Sequence, residues 1–263
     1  MSGFSSTWLA LREPIDHAAR SETVISALTH FFLNEEIVRI TDIGSGTGST
    51  IRALRPFMHN ATWHLIDNDA SLLNQARSHA QDQHVICTNA DLSSDLTSLK
   101  TPKPDLITTS AFLDLVSLEW LASLVQMLKE QQLPFYAALS YDGHASTSLE
   151  SPEEKLVIDA FNQHQKTDKG FGPALGPDAA ITAVELFEEA GFLITLDQSD
   201  WQASTDDTEF MKMLLSGWKE AALEIAPDDS GAIGTWFEAC MQAINQRVLK
   251  VRVGHKDFLA VPG

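Results

Sequence analysis

The strongest constraint on the fold is a glycine-rich segment at residues 41–48, Thr-Asp-Ile-Gly-Ser-Gly-Thr-Gly. It follows a short, mainly apolar run and precedes a stretch with helical spacing, so the sequence predicts a strand, a tight turn and a helix. Gly44, Gly46 and Gly48 can adopt positive φ and have no Cβ atom. The turn can therefore place bare backbone against a ligand.

The spacing of these glycines separates two kinds of nucleotide-binding turn. A dinucleotide-binding turn has the pattern Gly-x-Gly-x-x-Gly. This segment reads Asp-x-Gly-x-Gly-x-Gly, with Ser49 at the position of the third dinucleotide glycine. Taken alone, the segment leaves open a plain tight turn or a different nucleotide loop.

Residues 37–142 alternate short apolar strands with amphipathic stretches, which is typical of a parallel sheet covered by helices on both faces. Strands are predicted at 37–43, 62–67, 84–89, 105–110 and 135–140, and helices at 48–55, 70–80 and 117–130. This pattern indicates an open α/β domain.

The remainder of the chain is richer in helices. Further helices are predicted at 151–166, 178–190, 206–224 and 231–246, strands at 192–199 and 249–260, and one helix starting at Pro14 in front of the sheet. Glycine and proline in residues 167–177 predict a shaped loop. We expect a single domain over 1–263, with an N-terminal helical segment at 1–35 and insertions at 143–177 and 200–247 that form a substrate pocket.

Three carboxylates lie at or just after the ends of the first three predicted strands, where ligands of open α/β sheets bind. They are Asp42, Asp67 and Asp91. A carboxylate after the second strand can accept hydrogen bonds from a ribose diol, and Asp91 can accept one from an exocyclic amine. Each residue taken singly also fits a turn or a helix N-cap.

The glycine turn and the three carboxylates together resemble the class I S-adenosylmethionine-dependent methyltransferases over residues 37–142. The resemblance implies a doubly wound, seven-stranded, mostly parallel sheet of the Rossmann-like methyltransferase type with helical insertions. It also implies that 249–260 is an antiparallel strand inserted beside the fifth, and that S-adenosyl-L-methionine is the cofactor.

The same resemblance assigns roles to the strand-end residues. Gly44, Gly46 and Gly48 would approach the methionine part, Asp67 would bind the ribose, Asp91 with the Leu92 amide would read adenine, and Asp42 would position the amino end. The cofactor-binding candidates are Asp42, Gly44, Gly46, Gly48, Asp67, Asn68, Asp91, Leu92, Ser110 and Arg20. Arg20 could meet the cofactor's carboxylate or form a surface ion pair, and Arg12 has the same two alternatives.

Several methyltransferase subfamilies are disfavoured. The fourth strand is followed by Ser110-Ala-Phe-Leu-Asp114 rather than Asn/Asp-Pro-Pro-Tyr/Phe, and no Cys follows a Pro, so neither style of base methylation is supported. No metal-ligand signature is present, so we expect no metal. Cys87 and Cys240 are predicted to be buried thiols.

The charge and composition of the chain restrict the classes of molecule that it is expected to bind. The chain has 18 basic and 36 acidic residues and a formal charge of −18, which disfavours nucleic acid as a substrate. No apolar run reaches the roughly 20 residues that span a bilayer, and no secretory signal is visible at the N-terminus, so we expect a cytoplasmic protein without a membrane partner. The expected partner is a small-molecule methyl acceptor.

The catalytic candidates lie in the loop after the helix at 151–166. His164, Asp168 and Lys169 combine a base, an acid and a cation beside a glycine-shaped loop, and could orient an acceptor or take its proton. His164 near the end of an exposed helix could equally interact only with the helix dipole. Trp201, Trp218 and Trp236 could roof the pocket or belong to the core.

The sequence thus predicts methyl transfer from S-adenosylmethionine to an unidentified small molecule. One alternative is a nicotinamide-dependent oxidoreductase, against which Ser49 argues. Another is a noncatalytic adenosyl-binding protein on the same fold, which intact cofactor residues do not exclude. The acceptor, the methylated atom and the oligomeric state do not follow from the sequence.

Overall fold

The computed structural model of the chain describes residues 5–80, 85–94 and 96–263. Within these residues an eight-stranded sheet has the order β3-β2-β1-β4-β5-β8-β6, with β7 paired to β8 outside this path. The strands are β1 (Val38–Ile43), β2 (Ala61–Asp67), β3 (Val85–Asn89), β4 (Leu106–Ser110), β5 (Phe135–Thr147), β6 (Phe192–Gln198), β7 (Trp201–Ala203) and β8 (Val251–Pro262).

The strand directions are those of the predicted methyltransferase sheet. Strands β1 to β5 pair in parallel, and β8 lies antiparallel between β5 and β6. The expected antiparallel last strand beside the fifth is therefore confirmed. The short strand β7 was not predicted, because three residues give too little alternation to read from a sequence.

Helices cover both faces of the sheet. They are α1 (Ser6–Ala19), α2 (Glu22–Phe31), α3 (Ser49–Leu54), α4 (Ala70–Ala80), α5 (Leu118–Gln131), α6 (Glu154–Gln165), α7 (Ala179–Glu189), α8 (Thr208–Ile225) and α9 (Ser230–Asn245). Helices α5 and α7 pack in the core on one face, whereas α1, α2, α3, α6, α8 and α9 contribute to the core on the other. Across the described ranges, no helix combines the length and the apolar character that a membrane span requires.

Several helix ends have the caps that their sequences predict. The Ser117 hydroxyl accepts a hydrogen bond from the Trp120 amide at 3.2 Å and caps α5. The Asp69 carboxylate accepts from the Ser71 amide at 2.7 Å at the start of α4. After α7, Gly191 has a φ of +94°, the left-handed conformation in which glycine ends a helix.

The structure corrects two predicted boundaries. The N-terminal helix does not start at Pro14: α1 starts at Ser6, capped by Ser5, and Pro14 lies inside it. A second helix, α2, starts after Ser21, whose hydroxyl accepts from the Val24 amide at 3.2 Å. Strand β5 continues to Thr147, so the first five residues of the predicted insertion at 143–177 are strand. Residue 84 of the predicted strand at 84–89 lies outside the described residues.

Candidate functional site

The glycine turn after β1 has left-handed backbone at each of its glycines. The φ angles are +62° at Gly44, +52° at Gly46 and +80° at Gly48. The Gly46 amide donates to Oδ2 of Asp67 at 2.8 Å, and the Ser45 amide donates to the Ile66 carbonyl at 3.2 Å. The turn is thus tied to the end of β2, because these bonds connect two neighbouring strand ends.

The two carboxylate oxygens of Asp67 accept hydrogen bonds from two different turns. Its Oδ1 accepts from the Asp69 amide at 2.8 Å, and its Oδ2 accepts from Gly46. Burial raises the pKa of Asp67, an effect that the backbone amides of Asp69 and Gly46 partly oppose. Each oxygen keeps a lone pair for a further donor, so this carboxylate can still bind a hydroxyl pair.

A cavity of about 1200 Å³ opens at the carboxyl ends of the parallel strands. This volume exceeds the roughly 300–1,000 Å³ of a usual small-molecule pocket, so it can hold two ligands side by side. On its first wall lie six of the predicted cofactor-binding residues, Gly44, Gly46, Asp67, Asn68, Leu92 and Ser110. We call this wall and its space the cofactor region.

Two other cofactor-binding candidates lie away from the cavity wall. A Cβ at Gly48 would meet the Ala76 and Leu65 side chains at 3.4 and 3.7 Å, so this glycine faces α4 and the sheet. Asp91 is exposed and accepts from the Ser93 amide at 2.9 Å, which lowers the pKa of its carboxyl. Asp91 therefore shapes the turn after β3, while its neighbour Leu92 lines the cavity.

Asp42 and Arg20 are buried and are not among the residues that line the cavity. Among the described residues, neither oxygen of Asp42 has a hydrogen-bond partner, and burial raises its pKa to about 7. Arg20 donates to the Tyr136 hydroxyl at 3.2 Å and to the Ser110 hydroxyl at 3.1 Å. Arg20 therefore does not form a surface ion pair and does not line the cavity. It donates a hydrogen bond to Ser110, which does line the cavity.

The rest of this cavity has mainly aromatic walls, and we call it the acceptor chamber after the role proposed for it below. These aromatic residues are Trp8, Phe112, Tyr141, Phe161, Phe171, Trp201 and Trp218. The Arg12 guanidinium lies 5.3 Å from the centre of the Trp201 ring and donates to Asp16 at 2.8 Å. Trp236 is fully buried behind Trp218, with ring centres 6.3 Å apart, and belongs to the core.

The three predicted catalytic residues all reach the chamber wall. His164 Nε2 lies 3.1 Å from Glu224 Oε2, and Lys169 Nζ lies 3.3 Å from His164 Nδ1. Burial lowers the pKa of Lys169. Asp168 is exposed, and its Oδ1 accepts from the amides of Gly170 and Gly172 at 2.6 and 3.1 Å, so it orders its own loop.

Two polar residues of the chamber, Asp114 and His255, were not among the predicted catalytic or cofactor-binding residues. Asp114 follows β4 and lines the chamber, and its Oδ1 has no hydrogen-bond partner among the described residues. Burial raises its pKa to about 6. His255 on β8 is only 4% exposed, and burial, then the charge of Arg12, lowers its pKa to about 4. The position of Asp114 after a strand is a sequence signal for a site residue. His255 has no such signal, because it is an isolated histidine within a strand.

The comparisons with known proteins agree with this geometry. Residues 40–131 match the family model of a methyltransferase domain. No match to the sequence is found among curated proteins.

Solved structures share the fold at low sequence identity. A cyclopropane-fatty-acyl-phospholipid synthase-like protein from Lactobacillus casei aligns with a TM-score of 0.56 at 12% identity, over 98% of this chain and 94% of that one. The YcgJ protein from Bacillus subtilis aligns with a TM-score of 0.54 at 15% identity, over 90% and 97% of the two chains.

The matched residues run from β1 to the end of α5, which is less than half of the chain. Residues 40–131 match a methyltransferase domain, and the chain as a whole has the Rossmann-like sheet of the methyltransferase fold. It is accordingly a methyltransferase.

Proposed function

We propose that the protein transfers the methyl group of S-adenosylmethionine to a small, largely apolar molecule bound in the acceptor chamber. The observation that carries this proposal is one continuous cavity of about 1200 Å³, whose first wall is the glycine turn and whose second wall is aromatic. Two ligands bound in one cavity can be in direct contact. Methyl transfer by direct displacement needs this contact, because the nucleophile must lie in line with the methyl group.

The cofactor would lie along the turn with its ribose at Asp67. Gly44 and Gly46 give its methionine part a wall without Cβ atoms, and Leu92 gives the adenine an apolar contact. Ser110 would reach the cofactor directly, and Arg20 would fix the Ser110 hydroxyl from behind. Asp42 does not line the cavity and so would not contact the cofactor directly.

The acceptor chamber is assembled from the segments that interrupt the sheet. Phe161, His164, Lys169 and Phe171 come from the predicted insertion at 143–177, and Trp201, Leu214 and Trp218 come from that at 200–247. The N-terminal segment adds Trp8 and Arg12. We infer that these three segments select the acceptor within one methyltransferase domain.

Lys169 and His164 are the proposed residues of the chamber that orient the acceptor. Among the described residues, no carboxylate lies within ion-pair distance of Lys169, so its charge is available to a ligand. His164 is held between Lys169 and Glu224. Asp168 contributes by shaping the loop that carries Lys169.

Calorimetry tests the cofactor half of the proposal. The purified protein is expected to bind S-adenosylhomocysteine and S-adenosylmethionine and to give no signal with nicotinamide dinucleotides. Isotope-labelled methyl transfer to an extract of apolar cell metabolites, followed by mass spectrometry, tests the acceptor half. Binding of the dinucleotide alone would refute the first half, and label found only in nucleic acid or protein would refute the second.

A further inference from the structure

Two side chains of the acceptor chamber, Asp114 and His255, have a hydrogen-bond acceptor atom to which no described residue donates. The first is Asp114, which no described residue reaches at Oδ1. A buried carboxylate oxygen without a partner is costly, because it has lost water and gained no donor. Asp114 lines the chamber and is only partly buried, so a bound molecule can donate a hydrogen bond to its carboxylate.

The second acceptor is His255, whose tautomer is fixed by its surroundings. Its Nδ1 lies 3.1 Å from the Val253 carbonyl oxygen, and a carbonyl can only accept, so the ring proton is on Nδ1. The other nitrogen, Nε2, therefore has a free lone pair, and no described residue donates to it. The low pKa of about 4 keeps the ring neutral at physiological pH.

Rigid aromatic contacts fix where this lone pair lies. The His255 ring is 4.5 Å from the Trp201 ring and 6.0 Å from the Tyr141 ring, measured between centres. The Tyr141 hydroxyl donates to Asn162 Oδ1 at 2.7 Å, so its proton is not available to His255. An acceptor on a fixed ring selects ligands by where their donors are.

The charges that face these two groups come from several elements. Asp114 is under the influence of Arg12 on α1 and Lys169 on the loop after α6, with Tyr141 of β5 close by. His255 faces Arg12, Asp142 and Asp200. Because Arg12 and Tyr141 neighbour both groups, the two acceptors belong to one compartment.

We propose that Asp114 and His255 bind an apolar acceptor molecule through its hydroxyl or amino hydrogens, and that Asp114 takes the proton released by methyl transfer. This inference rests on the proposed function and specifies the class of acceptor. The nucleophile's oxygen or nitrogen forms a bond to the methyl carbon as the carbon–sulfur bond breaks. The bonding pair passes to sulfur, which loses its positive charge, and the nucleophile's proton passes to the Asp114 carboxylate.

Matched probes test the hydrogen-donor requirement. Protein saturated with S-adenosylhomocysteine is dialysed to equilibrium against 2-naphthol, 2-naphthylamine or 2-methylnaphthalene, which differ only in one substituent. At least one of the two hydrogen donors is expected to bind about tenfold or more tightly than the methyl compound. Equal affinity for all three, or no binding of either donor, overturns the proposal.

Single-residue variants test whether Asp114 and His255 cause the preference for hydrogen donors. Asp114→Asn and His255→Phe are each expected to reduce the ratio of donor to methyl-compound affinity about threefold or more, and His255→Gln to restore part of it through its amide oxygen. Asp159→Asn on the outer face of α6, where Asp159 pairs with Lys155, is the control and should leave the ratio unchanged. Unchanged ratios in both chamber variants overturn the assignment.

The proton-accepting role of Asp114 has its own readout. With S-adenosylmethionine and the tighter-binding donor probe, kcat/KM of the wild type is expected to rise as pH increases through about 6, because Asp114 must be ionised to take the proton. Asp114→Asn should lose this limb and at least about tenfold of the rate. A wild type without the limb, or without methyl transfer to the probe, overturns the role.

The failure of this inference can be told apart from that of the proposed function. Calorimetric binding of S-adenosylhomocysteine to each variant reports whether the cofactor region is intact. If the cofactor binds and the donor preference is absent, only the acceptor class is wrong. If the cofactor does not bind to the wild type, the proposed function itself fails.

Discussion

The two compartments of the cavity are built in different ways. The cofactor region is formed mostly by backbone at the ends of neighbouring parallel strands, with Gly44 and Gly46 on one turn and Asp67 on the next. The acceptor chamber is formed by side chains, such as Trp8, Lys169 and His255, that are far apart in the sequence. A backbone-built site tolerates little change in its loops, whereas a side-chain-built site changes specificity by single substitutions.

The largest expected effect is the loss of cofactor binding when the glycine turn is changed. Gly46→Val is expected to lower S-adenosylhomocysteine affinity at least about 100-fold, because residue 46 has a φ of +52° and its Cβ would lie 3.3 Å from Leu9. Calorimetry on the folded variant measures the loss. The control is Gly234→Ala on α9, where an added Cβ meets nothing within 4 Å. If Gly46→Val binds as the wild type does, the cofactor does not lie on this turn.

The difference between the compartments explains what the sequence could predict. The placing of Gly44, Gly46 and Asp67 at one edge of the sheet followed from local patterns, because parallel strands bring their carboxyl ends to the same edge. The position of the last strand beside the fifth followed only from the family resemblance. His255 could not be found this way, since only the insertion of β8 between β5 and β6 brings it to the chamber. Its burial against Trp201 depends on tertiary contacts without a local sequence signal.

The N-terminal helices show the same limit at a smaller scale. The sequence predicts one helix starting at Pro14, but this part of the chain belongs to two helices, because Ser21 ends the run as the N-cap of α2. Its amide donates to Asp257 Oδ2 at 3.1 Å, and Asp257 lies on the last strand. The end of one helix and the start of the next at Ser21 therefore involve a hydrogen bond to a residue more than 200 positions away. A pattern read from neighbouring residues cannot include that partner.

The second prediction compares two strand-end carboxylates. Asp67→Ala is expected to weaken S-adenosylhomocysteine binding by about 1–3 kcal/mol, because ribose hydroxyls and the Gly46 amide would lose their acceptor. Asp91→Ala should change affinity less than about twofold, since Asp91 is exposed and away from the cavity wall. Titration calorimetry on both variants decides. Equal losses would show that the adenine end extends to Asp91.

The third prediction concerns the acceptor chamber. Lys169→Ala and His164→Ala are each expected to lower kcat/KM for an identified acceptor about tenfold, while S-adenosylhomocysteine affinity stays within about twofold. The control is Lys166→Ala, because Lys166 pairs with Asp178 at 2.7 Å on the exposed surface. Wild-type turnover in both chamber variants would leave His164 and Lys169 as structural residues only.

The smallest expected effect concerns Asp42, the buried carboxylate beneath the cofactor region. Its pKa of about 7 in the folded protein lies above the value near 4 of an unfolded aspartate, so the folded state holds the proton more tightly. The contribution of this proton to stability is complete below about pH 4 and is lost as pH rises through about 7.

Asp42→Asn cannot ionise, so the free energy of unfolding of the ligand-free variant, relative to wild type, is expected to increase by about 1 kcal/mol between pH 6 and pH 7. Urea unfolding at the two pH values measures this difference, and Asp159→Asn on the surface should show none. A constant difference would mean that Asp42 is ionised throughout, with the Arg20 guanidinium nearby compensating its charge. In that case the cofactor region would contain a buried charged pair rather than a protonated carboxyl.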